Sequence, residues 1–297
     1  MHGHLLHNGE IRRTSELLIS PGQTGFMNGW GVFSTIRIYD GVLFAFPRHY
    51  RRMKHDAAML HVPFTIPTDE LERLLLKLVE ANNAHNATLR VSVVRNRGGL
   101  FEGAGIRRDA DVVAFTADLA AWGNGVKLAY VANARHGASP FAGTKITSWA
   151  QNLTWYEEAH QKGFDEVILL NEHGQVSECT SANIFAVLGD QVVTPPLSGS
   201  GCLPGITRAI LMEEIALPGI AMSERDLTPQ QLEAADQVFI TSTTRNLLPA
   251  IELEGKPLPQ KPEVLSLLQR AFADYQAAYA KGCAVTPKTI RREMVST

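Results

Sequence analysis

Residues 118–125, "DLAAWGNG", constrain this chain more than any other stretch, because two glycines and an asparagine interrupt a run of strand and helix patterns. A chain of 297 residues is long for one core, since domains usually run to about 100–200 residues. The break therefore predicts a small N-terminal domain over 1–119, a linker over 120–125 and a larger domain over 126–297. Ahead of it, "HNGE" reads as a hairpin turn, and "GVFSTIRIY" and "GVLFAF" read as strands. Tyr50, Met53, Ala57 and Leu60 recur at helical spacing between Arg48 and Leu60. A second helix, N-capped by Thr68, presents Leu71, Leu74, Leu75 and Leu78 as its buried stripe. "ATLRVSVVRN" alternates as a strand, with Arg90 and Ser92 on one face and Leu89, Val91 and Val93 on the other.

Beyond the break, "VKLAYVAN" predicts a strand, and Trp149, Asn152, Leu153 and Tyr156 a helix ending near Gly163. "EVILLN" and "VSECTSANIFAV" look like paired strands, and "PGITRAILMEEIA" opens a helix. "QVFITS" predicts a strand and "VLSLLQRAFADYQAAYAKG" a late helix stopped by Gly282. Strands and helices interspersed in this way predict an α+β (mixed α/β) chain, mostly antiparallel in its first half.

A formal charge of −2 lacks the basic footprint that nucleic acid or an anionic membrane requires. Apolar runs such as "LLLKLV" are too short to span a bilayer. "MHGHLLHNGE" has none of the regions of a secretory leader. Cys179, Cys202 and Cys283 form no CxxC pair and no zinc spacing, which predicts reduced thiols in a cytoplasmic protein. His2, His4 and His7 lie near the terminus and "HExxH" is absent, so no metal site is expected.

Neither GxGxxG nor GxxxxGK[ST] occurs, and the phosphate-binding candidates are of another kind. In "LPGITR", Gly205 permits a tight turn, after which Ile206 and Thr207 supply the first unpaired N–H groups of a helix. "ITSTTRN" ends a strand in Thr241, Ser242, Thr243 and Thr244, whose hydroxyls and N–H groups suit an oxyanion. Arg52 offers paired N–H donors. Taken singly, each is an ordinary helix start, turn or solvated helix face.

Lys145, in "FAGTKITSW", is flanked by threonine, isoleucine and aromatic residues, surroundings in which an amine loses its proton more readily. Glu178 is a carboxylate at the head of an apolar strand, where a core has no use for one. Together, a lysine amine, a helix N-terminus and an acid are the parts that pyridoxal 5′-phosphate needs. Its ring nitrogen stays protonated only beside an anion, and Glu178 is that candidate.

At these residues the sequence resembles the class IV (fold-type IV) pyridoxal-phosphate enzymes, which include branched-chain aminotransferases, D-amino-acid aminotransferases and aminodeoxychorismate lyases. The match runs through Glu178, Thr180, Asn183, Ile184 and Phe185, then Val192 and Thr194, then Leu203, Gly205, Ile206 and Arg208. The resemblance implies a two-domain homodimer, with a small N-terminal α/β domain, a larger C-terminal domain with a barrel-like core, and the cofactor between them. It implies Lys145 as the Schiff-base lysine and Arg52, Ile206, Thr207, Ser242 and Thr243 as phosphate ligands. The chain departs from the family at Ser148, Trp149 and Ala150, where an Asn or Tyr is common, and at Thr88, where branched-chain enzymes often have an aromatic residue. The expected reaction is transamination between an amino acid, branched-chain-like or D, and a 2-oxo acid. Arg37 and Arg90, on neighbouring strands, are candidates for the substrate carboxylate, with Thr244 as a backbone donor. The alternative is a lyase releasing pyruvate from aminodeoxychorismate, for which Thr35, Arg95 and Arg97 fit an anionic substrate. A non-catalytic dimeric scaffold is a third reading, disfavoured by the presence of both Lys145 and Glu178.

Overall fold

The computed structural model describes residues 1–99, 103 and 106–282; Cys283 and Leu100–Glu102 of "VVRNRGGLFEG" lie outside the described residues. The chain forms two compact units, one of Met1–Ala120 with Thr144–Trp149, the other of Ala121–Gly143 and the residues from Ala150 onward.

In the first unit the order is β1 (His4–His7), β2 (Glu10–Arg13), α1 (Thr24–Asn28), β3 (Gly31–Tyr39), β4 (Val42–Leu43), α2 (Phe46–Met59), α3 (Thr68–Ala81), β5 (Ala87–Arg95) and β6 (Ala110–Ala117). Its six strands pair in the order β2-β1-β6-β5-β3-β4, and every pairing is antiparallel. Alternation decides which face is covered. Val32, Ile36 and Ile38 of β3 and Leu89, Val91 and Val93 of β5 pack in one core with Leu71, Leu74, Leu75 and Leu78 of α3. Each such buried aliphatic side chain contributes about 1.5–3 kcal/mol. Phe33, Thr35 and Arg37 take the opposite face, and the register sets Ser92, Arg90 and Thr88 directly across from them.

Two expectations fail here for local reasons. "GVLFAF" is a strand only at Val42–Leu43, because Ala45 turns the chain at φ 53° and α2 starts at Phe46 with Pro47 in its first turn. Thr68 is the first helical residue of α3 rather than its cap; that position belongs to Pro67, and no side chain caps the helix.

The second unit contains β7 (Val126–Val131), α4 (Ala150–Gln161), β8 (Glu166–Leu170), β9 (Val176–Cys179), β10 (Asn183–Leu188), β11 (Gln191–Thr194), α5 (Ile206–Glu213), β12 (Ala221–Glu224), α6 (Pro229–Glu233), β13 (Gln237–Ser242), β14 (Asn246–Leu253), β15 (Lys256–Pro257) and α7 (Glu263–Ala280). Its strands join in one sheet of order β12-β11-β10-β13-β14-β7-β8-β9, curled into a half-barrel, with β15 on β14. The pairs β11–β12, β14–β7 and β7–β8 are parallel. Five consecutive residues of β8 and of β10 are buried, so both strands are covered on each face. Trp149 lies outside α4, which begins at Ala150 and buries Asn152 and Ala159 rather than Leu153.

Among the described residues no helix is long and apolar enough to cross a membrane, and no group of acidic, histidine or cysteine side chains could hold a metal.

Candidate functional site

Lys145 is held by the first unit through its backbone. Its carbonyl accepts the Phe33 N–H at 3.1 Å, the Thr147 N–H reaches Gly31 O at 2.9 Å, and Val32 bridges Ile146 in antiparallel fashion. The segment thus adds a short strand beside the start of β3. Ser148 Oγ and Thr147 Oγ1 donate to Gly29 O at 2.9 and 2.7 Å. Gly29 has φ 63°, and a Cβ there would sit 2.5 Å from Ser148 Oγ, so glycine suits both the conformation and the fit. The Lys145 N–H donates to Asp56 Oδ2 at 3.1 Å, which ties the lysine to α2 as well.

Helix α2 presents His49, Arg52 and Asp56 at spacings of three and four, hence on one face. Burial, with Arg52 and Lys145 adding to it, holds the His49 imidazole well below its ordinary pKa. Burial pushes the Asp56 carboxyl up, against the opposing pull of the Lys145 N–H and of Arg52. Both residues were missed from sequence, where the spacing signals only a shared helical face.

The buried ring of Phe33 organises the second face of the sheet. The Arg90 guanidinium lies 3.7 Å from its centroid, the Lys145 ammonium 4.6 Å away, and Trp149 meets it edge-on at 5.9 Å. Arg90 is therefore grouped with Lys145, and Thr35 faces Arg90 across the strand pair. Arg37 is not in that group: it donates to Ile38 O at 2.7 Å and to Asn86 Oδ1 at 3.3 Å, at the far end of β3. Arg95 packs over Trp30 and donates to Arg97 O, and Arg97 pairs with Asp109 at 3.6 Å.

In the second unit Glu178 is 8% exposed, with Oε1 accepting from Arg135 Nε at 3.1 Å and Oε2 from the Leu203 N–H at 3.0 Å. Arg135 also donates to Asn152 Oδ1 at 3.3 Å, and Asn152 Nδ2 donates to Thr180 O at 2.8 Å. A carboxylate offers about four acceptor sites, so two remain. Arg135 and Asn152 lie far from Glu178 in sequence, and no spacing announced them.

Asn183 supports the turn ahead of α5: its Nδ2 donates to Leu203 O at 2.8 Å, and a Cβ at Gly205 would meet its Oδ1 at 2.0 Å. Helix α5 then begins at Ile206 with no side chain capping it, which leaves its first N–H groups available to an anion. Thr207 is buried, and so is Arg208, which pairs with Glu224 at 2.8 Å. After β13, Ser242 Oγ receives the Arg245 N–H at 3.2 Å and approaches Thr244 Oγ1 at 3.4 Å, while Thr243 lies in the same turn. Thr241 Oγ1 is buried without a hydrogen-bond partner.

Beside these residues a wholly buried Glu166 pairs with Arg245 at 3.2 Å and accepts from Ser181 Oγ at 2.6 Å, and Arg245 stacks 3.8 Å from the Trp122 ring. Cys179 and Cys202 are buried free thiols, and burial pushes both up, Cys202 to about 11, so they fill space as thiols.

Residues 31–253 match the sequence model described as Amino-transferase class IV. The chain belongs to the class IV aminotransferase family. A D-alanine aminotransferase from Bacillus licheniformis is 28% identical over 278 residues, 90% of this chain and 96% of the relative. A branched-chain-amino-acid aminotransferase from Escherichia coli K12 is 28% identical over 260 residues, 84% of each chain. Among solved structures, an Escherichia coli branched-chain amino acid aminotransferase matches at TM-score 0.84 and 24% identity, over 93% of this chain and 95% of its own. A hypothetical aminotransferase from Mycobacterium tuberculosis, solved in its PLP-bound form, matches at TM-score 0.80 and 21% identity, over 90% and 98%. As a class IV aminotransferase the chain is an enzyme that transfers amino groups, on the mixed α/β fold of fold type IV.

Proposed function

We propose that the chain is a pyridoxal 5′-phosphate-dependent aminotransferase acting between an amino acid, branched-chain-like or D, and a 2-oxo acid. The observation that carries the reading is Lys145, whose backbone is fixed at both N–H and C=O while its amine lies over the Phe33 ring, against which Arg90 also packs. Family membership and the cofactor held by the Mycobacterium tuberculosis structure support the choice of cofactor.

The residues suit such a group on their own chemistry. The uncapped start of α5 at Ile206 and Thr207 suits a phosphate, as do the unpartnered Thr241 hydroxyl, the turn of Ser242 and Thr243, and the Arg52 guanidinium. Gly205, whose missing Cβ lets Asn183 Oδ1 pack against the turn, shapes the start of α5. Glu178, with acceptor capacity left over from Arg135 and Leu203, would hold the proton on the ring nitrogen. When bound, the cofactor supplies an electron sink for the substrate α-carbon. Lys145 would carry it covalently and then move the α-proton. Arg90, with Thr35 opposite and Thr244 as a backbone donor, would take the substrate carboxylate; Arg37 would act at the far end of the same strand pair.

In this reading the enzyme is a cytoplasmic homodimer. The small domain covers 1–119 and the large one 126–297, joined by 120–125. The test is borohydride reduction followed by peptide mapping, which should place a pyridoxyl tag on Lys145. Amino donors of both hands, with 2-oxoglutarate and pyruvate as acceptors, then define the substrate. A tag elsewhere refutes the assignment of Lys145. Continued turnover of aminodeoxychorismate to pyruvate with no acceptor present would make the enzyme a lyase instead.

A further inference from the structure

Behind Arg52 lies a relay that the proposed chemistry does not use. The Arg52 guanidinium donates to Ser34 Oγ at 2.9 Å, and Ser34 Oγ lies 2.8 Å from His49 Nδ1. Ser34 is wholly buried and His49 is 1% exposed, so water does not compete for these bonds. An arginine only donates, and a serine oxygen carries one hydrogen and two lone pairs. Ser34 Oγ therefore accepts from Arg52 and, according to the imidazole tautomer, either donates its hydrogen to His49 Nδ1 or accepts the Nδ1–H. On the other side of the ring, His49 Nε2 is buried with no hydrogen-bond partner. Burial and the cations Arg52 and Lys145 keep the ring neutral.

We propose that Ser34 and His49 are positioning residues: the imidazole aims the serine hydroxyl, and the serine oxygen aims the Arg52 guanidinium at the phosphate of the cofactor. The proposal rests on the reading of Arg52 as a phosphate ligand. A guanidinium is useful to a phosphate only when its planar fork is oriented, and a hydrogen bond from behind supplies that orientation. A buried Nε2 without a partner is what the arrangement costs. His49 itself, neutral and turned to Ser34, does not act as an anion ligand.

The experiment measures pyridoxal 5′-phosphate dissociation constants by equilibrium dialysis on the full chain freed of cofactor. His49→Leu removes both ring nitrogens, and Ser34→Ala breaks the relay at its centre. Each should weaken binding about tenfold, as loss of one hydrogen bond to a charged group predicts. His49→Asn keeps an amide near the place of Nδ1, able to accept from Ser34 Oγ or donate to it, and should stay within about threefold of wild type. The double variant should be no worse than the worse single, because both act through one chain of bonds. At saturating cofactor the KM for the amino donor should stay within about twofold.

Unchanged dissociation constants in the two disrupting variants would overturn the proposal. So would an Asn variant as weak as the Leu variant, or losses that multiply in the double variant. Should His49→Leu fail to fold, Ser34→Ala and His49→Asn decide the matter between them. A wild-type chain that takes up no pyridoxal 5′-phosphate would instead remove the reading on which the proposal stands.

Discussion

Asp56 and Asp111 are buried to the same degree, each 1% exposed, and both belong to the first unit, yet their carboxyl groups are shifted in opposite directions. Burial pushes both up. At Asp111 the push is outweighed by donors: Arg108 Nε at 2.9 Å, Asn8 Nδ2 at 2.9 Å and Asn96 Nδ2 at 2.8 Å on Oδ1, with His7 Nε2 at 2.9 Å and Gln23 Nε2 at 2.7 Å on Oδ2. Asp111 therefore titrates well below the usual carboxylate range. At Asp56 the Lys145 N–H, Arg52 and His55 offset only part of the push, and the group stays raised. Burial alone thus predicts the direction at Asp56 but not at Asp111, where the donor set decides it. Asp111 has the surroundings of a group that holds structure together, whereas Asp56 is kept uncomfortable beside the candidate lysine.

The largest effect separates the two neighbourhoods by chemistry. Lys145→Ala should lower turnover by about 10⁴-fold or more, measured as the half-reaction with an amino donor. Its Tm should move by no more than about 2 °C, because the bonds that fix this segment run through the Lys145 backbone, which alanine keeps. Loss of fold along with activity would merge the two regions and remove the contrast.

Asp111→Asn should do the reverse. An amide in place of the carboxylate turns one acceptor into a donor among five donors, at a cost of about 2–3 kcal/mol, or a Tm lower by roughly 5–10 °C. Turnover per folded molecule should stay within about twofold. The pH dependence sharpens the test. A folded pKa below the unfolded value of about 3.9 means that Asp111 contributes stability above that value. The contribution is lost as pH falls through the unfolded value toward the folded one. The variant should therefore show a flatter acid limb, by chemical denaturation between about pH 3 and 7.

Elements dominated by local alternation were legible in the sequence. Strand β5 buries Leu89, Val91 and Val93 as its period of two requires, and β13 spans the "QVFITS" run. The start of α5 at Ile206 follows from Gly205, a residue with a local turn signature. Where chain geometry overrode propensity, the reading failed. "GVLFAF" has strand-forming residues, but Ala45 in the left-handed region and Pro47 in the first turn of α2 convert it to a helix start, and only the proline was visible beforehand. The candidate site divides in the same way. Lys145, Glu178 and Arg52 stand out as charges set in apolar or small-residue contexts. The partners Asp56, Arg135 and Asn152 lie 89, 43 and 28 residues from the groups they bond, and such separations leave no periodic trace. Asp111 lies at the start of β6, and only Arg108 is a local donor; nothing near it in sequence says that His7, Asn8, Gln23 and Asn96 converge on its carboxylate.

The smallest expected effect probes Asp56 itself. A carboxyl whose folded pKa is raised above its unfolded value binds its proton more tightly in the native state. Its contribution to stability is greatest at low pH and declines as pH rises from about 3.9 through the raised value, opposite in sign to that of Asp111. Above the raised value a buried charge is carried with incomplete compensation, so there Asp56→Asn should leave stability unchanged or raise it by about 1 kcal/mol. The amide oxygen can still accept the Lys145 N–H, so the backbone position of the lysine is retained. What disappears is the negative charge beside Arg52 and Lys145, and turnover should fall about three- to tenfold with little change in Tm. The variant and wild type should converge in stability near pH 3, where the native carboxyl is protonated and the two side chains carry the same charge. Should Asp56→Asn destabilise at pH 7 as strongly as Asp111→Asn, the two aspartates are alike in kind, and the raised group has no cost that function explains.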